Sequence, residues 1–151
     1  ERGVFTCKRL ADMSADTFCR LAQVRTAVFV VEQACAYQEI DTIDQRAYHL
    51  WSVDDQEMII SYARIFLQDE VVHFGRVLVA PAYRGQGEGH RLLQEILQQI
   101  QVLYPMRDIR IEAQEHLAAY YGQYGFEAIS TPYEDDGILH ISMTTNTFAN
   151  S

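Results

Sequence analysis

The chain has 151 residues, enough for one domain with a substantial core and too few for two ordinary ones. Apolar residues make up 48% of it without any low-complexity tract, which excludes a disordered chain. The formal net charge of −9 comes without basic clusters, so nucleic acid is excluded as a general partner, whereas a cationic substrate such as an amine is compatible.

Val4 to Leu10 reads as a first strand. Ser14 can cap a helix with Asp16 in its first turn, and Phe18, Leu21, Ala22, Val28 and Phe29 follow at helical spacing, so a helix is expected to run to about Glu32. Ala34 to Arg46 is irregular and acidic, carrying Glu39, Asp41 and Asp44. Ala47–Val53 and Met58–Phe66 read as strands joined by the turn Asp54–Glu57. A second turn, Gln68–Glu70, leads to a strand from Val71 to Val79, giving three strands in an antiparallel meander. Leu92, Leu93, Ile96, Leu97, Ile100 and Leu103 then mark one face of a long helix, with Pro105 just past its end. Asp108–Ala113 is a short strand. Leu117, Tyr120, Tyr121 and Tyr124 line a second helix that Gly125 ends. Two closing strands, Phe126–Ser130 and Ile138–Thr144, flank a turn from Pro132 to Gly137. The order β-α-β-β-β-α-β-α-β-β implies an α/β domain over residues 1–151, a mixed and mostly antiparallel sheet with helices on both faces.

No apolar run approaches the roughly 20 residues that span a bilayer. No apolar secretory segment follows Glu1-Arg2-Gly3, so no membrane partner is expected. Cys7, Cys19 and Cys35 are odd in number and lack metal-ligand spacing, which suits a reduced, cytoplasmic protein. His116 and His140 lack carboxylates or cysteines at ligand spacing, so no metal is expected.

The most informative stretch runs from Val77 to Gly89. A strand passes into Arg84-Gly85-Gln86-Gly87-Glu88-Gly89, which opens the long helix. Glycines at alternate positions let successive N–H groups converge, and the helix N-terminus adds its partial positive charge, so the turn suits an anion such as a pyrophosphate. A P-loop would need Lys and Ser or Thr after the last glycine, where His90-Arg91 stands. A dinucleotide fold needs a different glycine spacing at the start of a βαβ unit.

The remaining pattern, Arg-Gly-x-Gly-x-Gly after a strand, resembles the acetyl-coenzyme A signature of the GNAT superfamily of N-acetyltransferases. Tyr121-x-x-x-Gly125-Phe126 resembles that superfamily's later helix, and the order of elements agrees over nearly the whole chain. Within it, Arg25–Gln33 and Tyr37–Asp41 resemble the ElaA branch. The resemblance implies a GNAT-type acyl-CoA N-acyltransferase fold and acetyl transfer from acetyl-CoA to a primary amine, of a small molecule or a peptide, by direct attack. A non-catalytic acyl-CoA-binding module, sensing or regulating, is the competing class.

Under the resemblance the amides between Arg84 and Gly89, Gln86 among them, would hold the pyrophosphate, with Arg84 adding a charged contact. Glu88 departs from the pattern, which usually has an apolar residue there. A carboxylate pointing away and complementing the helix dipole resolves the conflict. Leu78 and Val79 would pair with the pantetheine arm and offer an oxyanion N–H, and Gln114 would contact pantetheine. Tyr121 is the expected general acid for the thiolate, although Tyr120, Tyr121 and Tyr124 also make an ordinary apolar stripe. The base is sought among Glu32, Glu39, Asp41, His49, His73 and Glu112, each with a purely structural alternative. The closing strands would support a homodimer by analogy alone.

Overall fold

In a computed structural model, whose description covers residues 3–146, the alternating segments assemble into one eight-stranded sheet. The strands are β1 (Val4–Arg9), β2 (Tyr48–Val53), β3 (Ile59–Gln68), β4 (Val71–Val79), β5 (Asp108–Gln114), β6 (Glu127–Ala128), β7 (Tyr133–Asp135) and β8 (Ile138–Asn146). Their order across the sheet is β1-β2-β3-β4-β5-β8-β6, with β7 paired to β8. All pairings are antiparallel except β4 with β5.

Among the described residues three α-helices cover the sheet: α1 (Ala15–Thr26), α2 (Glu88–Leu103) and α3 (Ala118–Gly122). Ser14 caps α1 by accepting from the Thr17 amide. The side-chain period of two splits the core into two layers. On one face Leu92, Leu93, Ile96 and Ile100 of α2, with Tyr121 and Phe126, pack on Ala63, Ile65, Val72, Phe74, Ile111 and Met143. On the other, Leu21 and Val28 pack on Trp51, Tyr62 and Leu78. The fold is the expected mixed α/β sheet with helices on both faces.

Four local expectations change. The first helix does reach Glu32, but Ala27–Glu32 winds in wider π-helical turns, with the Gln33 amide donating back to the Val28 carbonyl. Leu10 belongs to a 3-10 turn and not to β1. Within the expected turn Pro132–Gly137, Tyr133–Asp135 is a strand, because its backbone finds partners along β8 from Ile138 to His140. Conversely, the expected strand Phe126–Ser130 is reduced to Glu127–Ala128.

Candidate active site

The glycine turn takes the form its sequence requires. After β4, Pro81–Tyr83 makes one 3-10 turn, and Gly85 and Gly87 then adopt φ of +78° and +82°. An L side chain at either position would be strained, although the space beside each is open. Gly87 is the N-cap of α2, so the first amides of a sixteen-residue helix are left without a side-chain cap. A Cβ at Gly89 would stand 3.4 Å from the Tyr120 hydroxyl, which places α3 against the start of α2. The anomalous Glu88 is buried, and its carboxylate pairs with Arg91 at 3.1 Å. Gln86 folds back onto the Ala82 carbonyl.

Arg84 is engaged elsewhere. Its Nε donates to the Val79 carbonyl at 2.9 Å, and its two terminal nitrogens clamp Glu32 at 2.6 and 2.9 Å. This pair is exposed and joins the end of the first helix to the glycine turn. The Arg84 hydrogen bonds hold the Glu32 carboxyl below its ordinary value.

β4 and β5 pair only at Val72 with Ile109 and His73 with Arg110, after which they part. A bulge in β4 accompanies the parting: the register with β3 shifts between Leu78 and Gly75, and Arg76 adopts φ +50°. The result is a cleft of about 620 Å³. Phe74 to Val77 form one wall and Ile111 to Gln114 the other, while Leu117 and Tyr121 close one end and Cys35–Gln38 and His140 lie toward the other. Leu78 and Val79, expected as cleft residues, do not line it. Leu78 faces α1 in the second core layer. Val77, not singled out from the sequence, does line it. The Ala80 amide donates to the Ile60 carbonyl in β3, so the alternation of a strand turns the Val79 N–H the opposite way, toward the parted edge.

Tyr121 is 7% exposed and packs edge-on against Tyr120 and Phe126. Its hydroxyl makes no hydrogen bond among the described residues, and its ring lines the cleft. Burial, then the nearby Tyr124, pushes its pKa up to about 12, so the phenol keeps its proton at neutral pH. Tyr124 instead bonds His90 at 2.6 Å, beside Tyr120. The tyrosine stripe therefore divides: Tyr121 faces the cleft, and Tyr120 and Tyr124 brace α2.

The base candidates separate by position. Asp41 and Glu112 line the cleft, as does Gln114, the expected pantetheine contact; Glu32, Glu39, His49 and His73 do not. His73 stacks on Phe66 with ring centroids 5.2 Å apart. His49 is fully buried between the Tyr62 hydroxyl (2.6 Å) and the Asp44 carbonyl (2.9 Å), and burial lowers its pKa. Glu112 accepts from the hydroxyls of Ser142 and Tyr133 and from Arg110 Nε at 3.0 Å. Partial burial works to raise its pKa, but these donors outweigh burial and lower it. A carboxylate with that many donors is a weak proton acceptor.

Sequence reading missed the largest polar feature. Arg25, on the inner side of α1, is fully buried. It reaches Glu39 at 2.8 Å, Asp44 at 2.8 and 3.1 Å, and the Tyr62 hydroxyl at 3.0 Å. Arg64 pairs with Asp41 at 2.7 Å and Asp44 at 3.1 Å. Arg76, on the bulge, pairs with Glu39 at 3.1 Å and lies over the Tyr37 ring. Three arginines thus neutralise three carboxylates that had been candidate bases or a solvated loop. Burial works to raise the pKa of Asp41 and Asp44, but the arginines outweigh it and hold both low. The network fixes the loop 34–46 against the bulge, which shapes the cleft mouth. Among the described residues no group of three or more metal-ligating side chains converges, and no helix is long and apolar enough to cross a membrane.

Comparison with known proteins extends over this whole framework. The family model for an acetyltransferase (GNAT) domain matches residues 10–147. Protein ElaA of Escherichia coli is 39% identical over 140 residues, covering 88% of this chain and 90% of its own. Its crystal structure superposes with a TM-score of 0.88 over 94% of this chain and 98% of that one. An acyl-CoA N-acyltransferase from Pseudomonas aeruginosa is 40% identical, with a TM-score of 0.90 over 94% and 98% of the two chains. YncA of Salmonella typhimurium, solved with its cofactor acetyl-CoA, shares the fold at 16% identity and a TM-score of 0.68 over 95% and 94% of the two chains.

Proposed function

Given that the chain belongs to the GNAT acetyltransferase domain family, we propose that it transfers the acetyl group of acetyl-CoA to a primary amine in the cytoplasm. The observation that carries this reading is the parting of β4 and β5 between an uncapped, glycine-lined helix start and a protonated, unpartnered Tyr121 hydroxyl. That arrangement has a place for each part of the donor. The amides from Gly85 to Gly89 suit the pyrophosphate, because positive φ at Gly85 and Gly87 curls the backbone at a helix N-terminus, with Gln86 turned to the Ala82 carbonyl and Glu88 to Arg91. The parted edge of β4 leaves amides for the pantetheine arm to pair with, as an added strand would.

The chemistry asked of the chain is modest. The Val79 N–H, directed at the parted edge, would stabilise negative charge developing on the thioester oxygen. Tyr121 would donate its proton to the departing thiolate, for which a neutral phenol buried beside the cleft is well placed. No covalent enzyme intermediate is required. Arg84 and Glu32 then act as a brace that positions the turn. Glu112, held by three donors, serves to orient a cationic acceptor by its charge.

The test is release of free thiol from acetyl-CoA with spermidine, L-lysine, kanamycin and a lysine-containing peptide. The reading expects at least one of these amines to be acetylated in step with thiol release. Tight binding of acetyl-CoA without turnover of any amine would favour the non-catalytic binding module instead.

A further inference from the structure

An amine that attacks a thioester must lose a proton, and the candidates read from the sequence serve that step poorly. Glu39 and Asp41 are locked to arginines, Glu32 is clamped by Arg84 outside the cleft lining, His73 also lies outside that lining, His49 is sealed in the core, and Glu112 is held by three donors. His140 meets the requirement in another way. It lies on β8 opposite Gln114 of β5 and Tyr133 of β7, and its ring lines the same cleft as Tyr121. Its Nδ1 is 2.8 Å from the Ile138 carbonyl. A carbonyl oxygen only accepts, so Nδ1 carries the hydrogen, and Nε2 is the ring nitrogen left to take a proton. Nε2 has no partner among the described residues. Tyr133 stacks on the ring at 6.2 Å and an angle of 27°, which fixes its plane.

Resting on the acetyltransferase reading above, we propose that His140 is the catalytic proton acceptor for the attacking amine. The acceptor's ammonium first gives one proton to solvent; the free amine nitrogen then forms its bond to the acetyl carbon and passes a second proton to Nε2. The carbon–sulfur bond then breaks, and the thiolate takes the Tyr121 proton. The imidazolium afterwards releases its proton to solvent and Tyr121 takes one back, so the enzyme returns unchanged. His140 and Tyr121 reach the cleft from opposite faces of the sheet: Ser142 and Glu112 share the face of His140, whereas Ile111 and Met143 share that of Tyr121. The acceptor therefore enters from the β7 side, and the donor lies along the glycine turn.

The charged and ionisable groups facing this corner are Arg110 and Glu112 from β5, Arg76 from β4, Tyr133 and Asp135 from β7, Asp136 from the following turn, and Cys35, Tyr37 and Asp41 from the opposing loop. Asp136 meets Cys35 through its backbone carbonyl. A pH profile alone could therefore report another group, so the test pairs it with substitution and rescue.

Wild type, His140→Gln and His140→Ala are compared for thiol release with whichever of spermidine, L-lysine, kanamycin and the lysine peptide is turned over, across pH 5.5 to 9. The expected result is a kcat about 10²-fold lower in both variants, the scale of general-base catalysis. The acid limb of the wild-type profile should disappear, acetyl-CoA affinity by calorimetry should stay unchanged, and added imidazole should partly rescue the alanine variant. Wild-type kcat with an unchanged acid limb in His140→Gln would overturn this proposal while leaving the transferase reading intact. Wild-type protein that binds acetyl-CoA but acetylates none of the four amines would overturn both. Loss of acetyl-CoA affinity in both variants would assign His140 to binding and refute the catalytic role.

Discussion

Replacing Arg25 with Met tests whether the buried charge network organises the cleft mouth. The substitution keeps most of the side-chain volume and removes the cation, so the loss is electrostatic and not a cavity. Arg25 is fully buried and satisfies Glu39 and Asp44 at once, and breaking a buried pair by removing one partner costs about 3–5 kcal/mol. Arg76 still meets Glu39 and Arg64 still meets Asp44, each at 3.1 Å, so the lower end, about 3 kcal/mol, is expected. With a urea m-value of about 2 kcal/mol/M, the unfolding midpoint should fall by about 1.5 M. The penalty must also depend on pH. In the wild type burial works to raise the Asp44 pKa, but Arg25, ahead of Arg64, outweighs burial and holds it below the unfolded value. Its contribution is present above the unfolded aspartate pKa, about 3.9, and is lost as pH falls through the folded value. In the variant Asp44 keeps Arg64 but loses Arg25 and protonates more readily, so the penalty is largest at neutral pH and shrinks on acidification. The two stability curves, followed by circular dichroism, should therefore converge below pH about 4. A loss under about 1 kcal/mol at pH 7, or one that does not narrow in acid, would refute the reasoning.

Three further outcomes are expected. Tyr121→Phe should lower kcat about 10²-fold with little change in acetyl-CoA affinity; normal turnover would remove the phenol from the mechanism. Gly87→Ala meets open space but requires an alanine at φ +82°, so it should cost about 1–2 kcal/mol in thermal or urea unfolding and weaken acetyl-CoA binding in calorimetry. Unchanged affinity would mean that the turn does not carry the pyrophosphate. Glu32→Gln weakens the surface clamp on Arg84, so it should raise the KM for acetyl-CoA while leaving kcat and Tm near the wild type, because the carboxylate lies away from the cleft lining. A large drop in kcat at saturating acetyl-CoA would restore Glu32 as the base.

What could be read in the sequence was local. The turn residues Asp54–Glu57 and Gln68–Glu70 delimit the strands of the meander from Tyr48 to Val79, and the spacing from Leu92 to Leu103 defines α2, because burial on one face of a helix imposes the period. Gly85 and Gly87 mark the turn because left-handed φ selects glycine. Arg25 was invisible because a helix periodicity does not say which polar residue meets a partner fourteen or nineteen positions on. The carboxylates of Glu39 and Asp44 looked solvated for the same reason. β7 was hidden inside Pro132–Gly137 because three residues carry no period, and only the edge of β8 makes them a strand. His140 bore one weak signal, a polar residue between Leu139 and Ile141 on a closing strand. Its significance depends on the cleft that opens when β4 and β5 part, a tertiary event.

The central claim is that the donor enters along the glycine turn and places its thioester between the parted strands. A crystal structure with coenzyme A bound tests it most directly. The account predicts the pyrophosphate on the amides from Gly85 to Gly89, the pantetheine along β4, and the thiol within hydrogen-bonding reach of the Tyr121 hydroxyl. Coenzyme A seated elsewhere, or a thiol directed away from Tyr121, would contradict it.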